Sequence, residues 1–129
     1  MIKLMFCLRR LPGLTRGEFQ SYWREVHAPL VRARAAVLGI ERYVQCHTAD
    51  DAAFAAMAQA RGGHPPFDGV AELWFSEGVA PYPHEQRRQA AQDLLDDEKN
   101  FIDLPASPLF FTREHEVLGQ FLDLRQGCL

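Results

Sequence analysis

Between Thr15 and Leu38 the apolar residues fall at helical spacing, and a proline stands inside that run. Thr15 and Glu18 have the spacing of a capping box, in which each side chain closes the other's backbone N–H, so a helix starts there. Phe19, Tyr22, Trp23, Val26 and Leu30 then draw one apolar stripe, with His27 on its edge. Pro29 has no N–H to give to the carbonyl of Glu25, and its ring crowds that carbonyl. The helix is therefore expected to kink or end at His27, leaving the imidazole among unpaired carbonyls at the negative end of the helix dipole. Such a histidine either satisfies those carbonyls or serves as a proton-transfer group beside two large aromatics.

The flanking segments fix the class. Residues 2–9 read as a strand, and because only Lys3 interrupts the apolar run, a central strand covered on both faces is expected. Leu11-Pro12-Gly13 turns into the helix, whose apolar side continues through Leu30, Ala33, Val37 and Leu38 to a stop at Gly39. Residues 42–48 alternate as a second strand, with Tyr43, Gln45 and His47 on one face. Asp50 or Asp51 can cap a short alanine-rich helix that Gly62-Gly63 ends. Residues 70–76 form a third strand, with Glu72 and Trp74 opposite Ala71, Leu73 and Phe75. A long helix follows from about His84 to Ile102, its stripe made of Ala91, Leu94, Leu95, Phe101 and Ile102. Glu98 interrupts that stripe, so it either has a partner, borders a cavity or reaches water at a loose helix end. Residues 109–118 read as a fourth strand.

Strand-helix-strand written twice gives an α+β fold, a ferredoxin-like split βαβ with a four-stranded antiparallel sheet and both helices on one face. The other face is left bare, and a second copy is the simplest cover, so a homodimer is expected. Residues 1–119 form the single domain, and the tail 120–129, with Phe121, Leu122 and Leu124, is expected to pack on its own or the partner chain.

Composition removes several functions. A net charge of −3 with dispersed arginines argues against nucleic acid as a partner. No apolar run is long enough for a membrane span, and the basic residues of MIKLMFCLRR follow its apolar run, the wrong order for a signal peptide. Cys7, Cys46 and Cys128 are odd in number without CxxC spacing, which suits the cytoplasm and free thiols. The five histidines, His27, His47, His64, His84 and His115, show no metal-ligand spacing, and no nucleotide-binding or GxSxG motif is present, so neither a metal nor an organic cofactor is expected. His64 and His84 are expected in solvent, and Cys7 as a poor nucleophile in apolar surroundings.

What remains is a pocket between sheet and helices for a small hydrophobic or aromatic ligand. His27 is the candidate catalytic base, and Tyr22, Trp23, His47, Glu72, Trp74, Glu98 and Phe101 are the candidate substrate-binding residues. Trp23 and Phe101 can equally be plain core, and Glu72 can equally sit on the dimer face, paired to Lys3 or an arginine.

The run MIKLMFCLRRLPGLTRGEFQSYWREVHAPLV resembles the EthD family, named for ethyl tert-butyl ether degradation, of the dimeric α+β barrel superfamily. The likeness rests on R-x-P-G-L-T, on F-x-x-Y-W at Phe19, Tyr22 and Trp23, and on H-A-P at 27–29. It continues in F-D-G-V-A-E-L-W-F at 67–75 and D-E-x-x-F-I-D at 97–103. The resemblance implies a homodimer, a pocket between each sheet and its helices, and small hydrophobic substrates. By position it carries over His27, Trp23, Asp68, Glu72, Trp74 and Asp97. The activities it implies are a cofactor-independent oxidoreductase of monooxygenase type in catabolism, a dehydratase or decarboxylase, or a non-catalytic binding accessory. A haem-binding member would need His27, His47 or His115 as axial ligand. Segment 50–66 and the tail after Gly119 match nothing in the family pattern.

Overall fold

A computed structural model of the chain describes residues 2–78 and 81–119. Strands β1 (Ile2–Leu8), β2 (Ile40–His47), β3 (Gly69–Phe75) and β4 (Leu109–Thr112) form one antiparallel sheet in the order β2-β3-β1-β4. That is the expected α+β, ferredoxin-like plan. One helical arm precedes β2: α1 (Arg16–Tyr22), a π-helical turn (Trp23–His27) and α2 (Ala28–Leu38). After β2 come the short α3 (Ala52–Ala60), and between β3 and β4 the long α4 (His84–Glu98) with a 3-10 turn at Leu104–Ala106.

The capping box at Thr15 and Glu18 is formed in both directions, and Gly39 closes α2 at φ 73°. Asp51 caps α3 by accepting from the N–H of Ala53.

Pro29 does not break the arm. The backbone stays helical through His27 and Ala28, and the N–H of Ala28 donates to the carbonyl of Trp23, five residues back. Pro29 then stands in the first turn of α2, where a missing N–H costs little. The expected helix end is thus a wide turn through which the helix continues. The wide turn also shifts the buried stripe. Trp23, His27 and Val31 come into line at 1%, 5% and 3% exposure, while Val26, placed in the stripe by simple periodicity, is 43% exposed. A π turn holds more residues than an α turn, so side chains after it are rotated relative to the α-helical count.

Among the described residues, helices cover one sheet face only. Leu4, Phe6, Leu8 and Ala71 meet Phe19, Trp23, Phe101 and Ile102 in the core. Lys3, Met5 and Cys7 point the other way and are half-buried, so β1 is central but, among the described residues, not covered on both faces. That opposite face also carries Glu72 and Trp74, in register with Met5 and Lys3.

Two further boundaries differ. α4 stops at Glu98, and Phe101 and Ile102 are drawn into a turn, because Ile102 bridges Arg10 and the Phe101 carbonyl accepts from Leu11 N–H. Ala90, not Ala91, is the buried alanine of α4, and Leu95 is largely outside the core. β4 ends at Thr112, which pairs with Lys3, so beyond it β1 offers only Ile2 as a further described partner. Val117 and Leu118, expected in β4, are exposed. The tail 120–129 lies outside the described residues.

Candidate functional site

The imidazole of His27 is held from the side of α4. Its Nδ1 lies 2.7 Å from Asp97 Oδ2, and the phenol of Tyr22 donates to Asp97 Oδ1 at 2.6 Å. Asn100 Nδ2 donates to both the Tyr22 oxygen and Asp97 Oδ1 at 3.3 Å. Burial alone would raise the Asp97 carboxyl, but hydrogen bonds from Tyr22, His27 and Asn100 outweigh it and hold the group below the usual carboxylate range. Asp97 is therefore ionised near neutral pH and can only accept, so the His27 proton sits on Nδ1.

Burial lowers the His27 pKa, and the hydrogen bond and charge of Asp97 oppose that without reversing it. The ring is neutral at pH 7. Its Nε2 has no hydrogen-bond partner among the described residues and carries a free lone pair. The ring is further fixed against Phe101, centroid to centroid 5.0 Å.

His27 lines a cavity of about 240 Å³ between the helices and the sheet. Leu4, Phe6, Ala71, Leu73 and Phe75 form its floor, with Val31 and Leu38 from α2 and Leu94 from α4 as walls. An engineered apolar cavity of about 150 Å³ admits benzene, so this one has room for a substituted single ring. Its polar lining residues are His27, Tyr43 and Glu98. Glu98 borders the cavity as one of the expected alternatives had it, and its carboxyl makes no hydrogen bond or ion pair among the described residues. Burial first, and the neighbouring charge of Asp97 second, push its pKa up to about 7. The Tyr43 pKa is raised by burial and by the charge of Glu98, against hydrogen bonds from Gln45 and Trp23.

The residues expected at the site separate into three groups. His27, Trp23 and Glu98 line the cavity. Tyr22, Phe101 and His47 stand behind that lining. Tyr22 holds Asp97, Phe101 packs on His27, and His47 stacks on Trp23 at 4.5 Å while bonding Gln45 at 2.8 Å. Glu72 and Trp74 are on the opposite sheet face and cannot meet a ligand here, because strand neighbours alternate sides and Ala71, Leu73 and Phe75 take the cavity side. Glu72 pairs with Lys3 at 3.0 Å, and Trp74 lies between Lys3 and Arg42, each 4.5 Å from its ring.

Residue spacing points to neither Asp97 nor Tyr43; Asp97 enters by the family resemblance alone, and Tyr43 not at all. Asp97 follows the α4 sequence by only one position from Glu98, yet the two carboxyls serve different sides of the helix end; the D-E pair of the family-like motif was the available signal. Tyr43 shares a strand face with Gln45 and His47, which pointed towards the helices. Asp68, also carried over by resemblance, is a structural ion-pair centre: buried, it accepts from the Arg10 N–H at 2.8 Å and from Arg16 Nε at 3.1 Å, tying β3 to the start of α1. His64, His84 and His115 are exposed, and none of them lines the cavity. Among the described residues no group of three or more His, Cys, Asp or Glu is placed to hold a metal ion, and no helix is long and apolar enough to cross a membrane.

Comparison with known proteins agrees with this architecture. The family model described as the EthD domain matches residues 11–105. An ethyl tert-butyl ether degradation (EthD) family protein from Bacillus halodurans C-125 superposes with a TM-score of 0.56 at 18% identity, covering 89% of this chain and 99% of that one. An EthD-like protein from Ralstonia eutropha JMP134 superposes with a TM-score of 0.52 at 19% identity, covering 87% and 89%. No curated protein matches the chain.

Proposed function

The chain belongs to the EthD family, and on that premise we propose that it is an enzyme that deprotonates a small hydrophobic or aromatic compound, with neutral His27 as the base. The observation that carries this is the His27–Asp97 contact at 2.7 Å beside an apolar cavity. Asp97 fixes the proton on Nδ1 and stabilises the imidazolium that forms when Nε2 takes a second one.

In the oxidoreductase form of this reading, the substrate is a phenol or quinol whose anion reduces dioxygen directly, so no bound cofactor is required. The lyase form, dehydration or decarboxylation, starts from the same proton removal. Two copies clasped through the open sheet face are part of the proposal, since Met5, Val44, Val70 and Phe110 would otherwise leave an apolar surface around the Lys3–Glu72 pair. The free thiols Cys7 and Cys46 support a cytoplasmic setting.

The test is turnover of a panel of phenols and quinols under oxygen, with His27→Ala beside the native chain. Loss of turnover in the variant is the expected result. Turnover unaffected by the substitution removes His27 as base, and binding without turnover in the native chain makes the protein a ligand-holding accessory.

A further inference from the structure

The base reading accounts for His27 and leaves Glu98 unexplained. A carboxyl on an apolar lining is costly unless a cation, donors or water compensate it, and half-buried Glu98 has neither cation nor donor among the described residues. The titratable groups near it are few. Asp97 precedes it on α4 and is engaged with His27 and Tyr22, His27 comes from the π turn, and Tyr43 from β2. The sheet floor and α2 contribute only apolar side chains to the lining, and no lysine or arginine is part of it. An apolar residue would fill the place at lower cost if packing were its purpose.

We propose that Glu98 is the proton donor of this pocket, set against the proton acceptor His27, so that one turnover takes a proton from the substrate at one atom and delivers one at another. The proposal rests on the reading of His27 as base. It names the substrate class as a small apolar carbonyl compound with an enolisable C–H. His27 Nε2 takes the proton from the carbon next to the carbonyl, and the C–H electron pair becomes the C=C bond. The carbonyl π pair takes the proton of the Glu98 O–H, giving the enol, an imidazolium and a carboxylate. Return of both protons, or exchange with water, restores the site, and no oxidant is consumed. Tyr43, whose oxygen accepts from Gln45 at 2.8 Å and whose proton has no acceptor among the described residues, is placed to orient the same oxygen.

The experiment follows deuterium uptake at the carbons beside the carbonyl of 4-methylcyclohexanone in D₂O by NMR, with binding measured separately by tryptophan fluorescence. The native chain is expected to accelerate exchange, His27→Asn to abolish it, and Glu98→Gln to lower it by about 10²-fold with unchanged affinity. Exchange in the native chain falls on the alkaline side as Glu98 ionises near its pKa of about 7, and that fall disappears in Glu98→Gln. Glu98→Leu, apolar and of similar bulk, gives the same loss with a native circular dichroism spectrum. Native-rate exchange in both Glu98 variants, or an alkaline fall that persists in them, overturns the role of Glu98 and leaves His27 standing. Exchange of the bound ketone that is indifferent to His27→Asn overturns the base itself, and the donor with it.

Discussion

The indole of Trp23 fills the space that a side chain at residue 69 would need. A Cβ built on Gly69 would lie 2.5 Å from Cζ3 and 2.9 Å from Cη2 of that ring, and 3.0 Å from the Cys46 carbonyl. Trp23 is itself wedged against Phe19 and His47, so it has nowhere to retreat. Gly69→Ala is expected to cost about 1–3 kcal/mol by overpacking and to displace the pocket wall. Chemical denaturation reads the first effect and ligand affinity the second; a chain as stable as the native one would show that the indole is free to move.

Asp97→Asn keeps the shape of the side chain and removes its charge. The amide can present its NH₂ to Nδ1, which shifts the His27 proton towards Nε2 and takes away the lone pair. Both contributions of Asp97 to His27 raise its pKa, so the variant titrates still lower than the native ring. Activity is expected to fall by about 10²-fold, and the ¹⁵N shifts of His27 should report the change of tautomer. An unchanged tautomer with unchanged rate would reduce Asp97 to packing.

Glu98 makes stability fall with rising pH. Its folded pKa of about 7 lies above the ordinary 4.5, so the native chain binds more protons across that window and loses stability as pH climbs through it. At most about 3 kcal/mol is involved, less whatever water in the cavity relieves. Glu98→Gln is therefore expected to be more stable than the native chain at pH 8 and close to it at pH 4.5. His27 works in the opposite sense. Its folded pKa lies below the ordinary 6.5, so its contribution is complete above that value and is lost as pH falls towards the folded pKa. Urea midpoints measured across pH 4 to 9 for the native chain, Glu98→Gln and His27→Asn separate the two titrations, and parallel curves for all three would contradict both.

The open sheet face supplies the test of assembly. Met5 is opposite Glu72 and Phe110 on that face. A second copy laid on it would bury Met5 at the centre, so Met5→Glu should convert a dimer into monomers in sedimentation velocity while leaving the far-ultraviolet spectrum intact. A native chain that sediments as a monomer at high concentration removes the dimer proposal outright.

The order of strands and helices was readable from residue spacing because each element carries its own local code. The capping box at Thr15, the αL glycine at 39 and the alternation at 71–75 act over a few residues, and each formed as read. The family could be read too, since its motifs are contiguous runs. Glu98 was legible only as a question, because a carboxyl within an apolar stripe signals either a partner or a cavity without saying which.

The sequence by itself determined the α+β plan and put His27 beside aromatic residues, since periodicity, caps and turns depend on neighbours a few positions apart. Tertiary packing decided the rest. It turned the expected break at Pro29 into a π turn that moved His27 from the edge of the stripe into its centre, and it decided which of the two alternating faces of β3 meets the helices, leaving Glu72 and Trp74 on the other. It also brought Asp97, seventy positions away, within 2.7 Å of the imidazole. Those outcomes depend on how separate elements meet in space, and no local spacing encodes them.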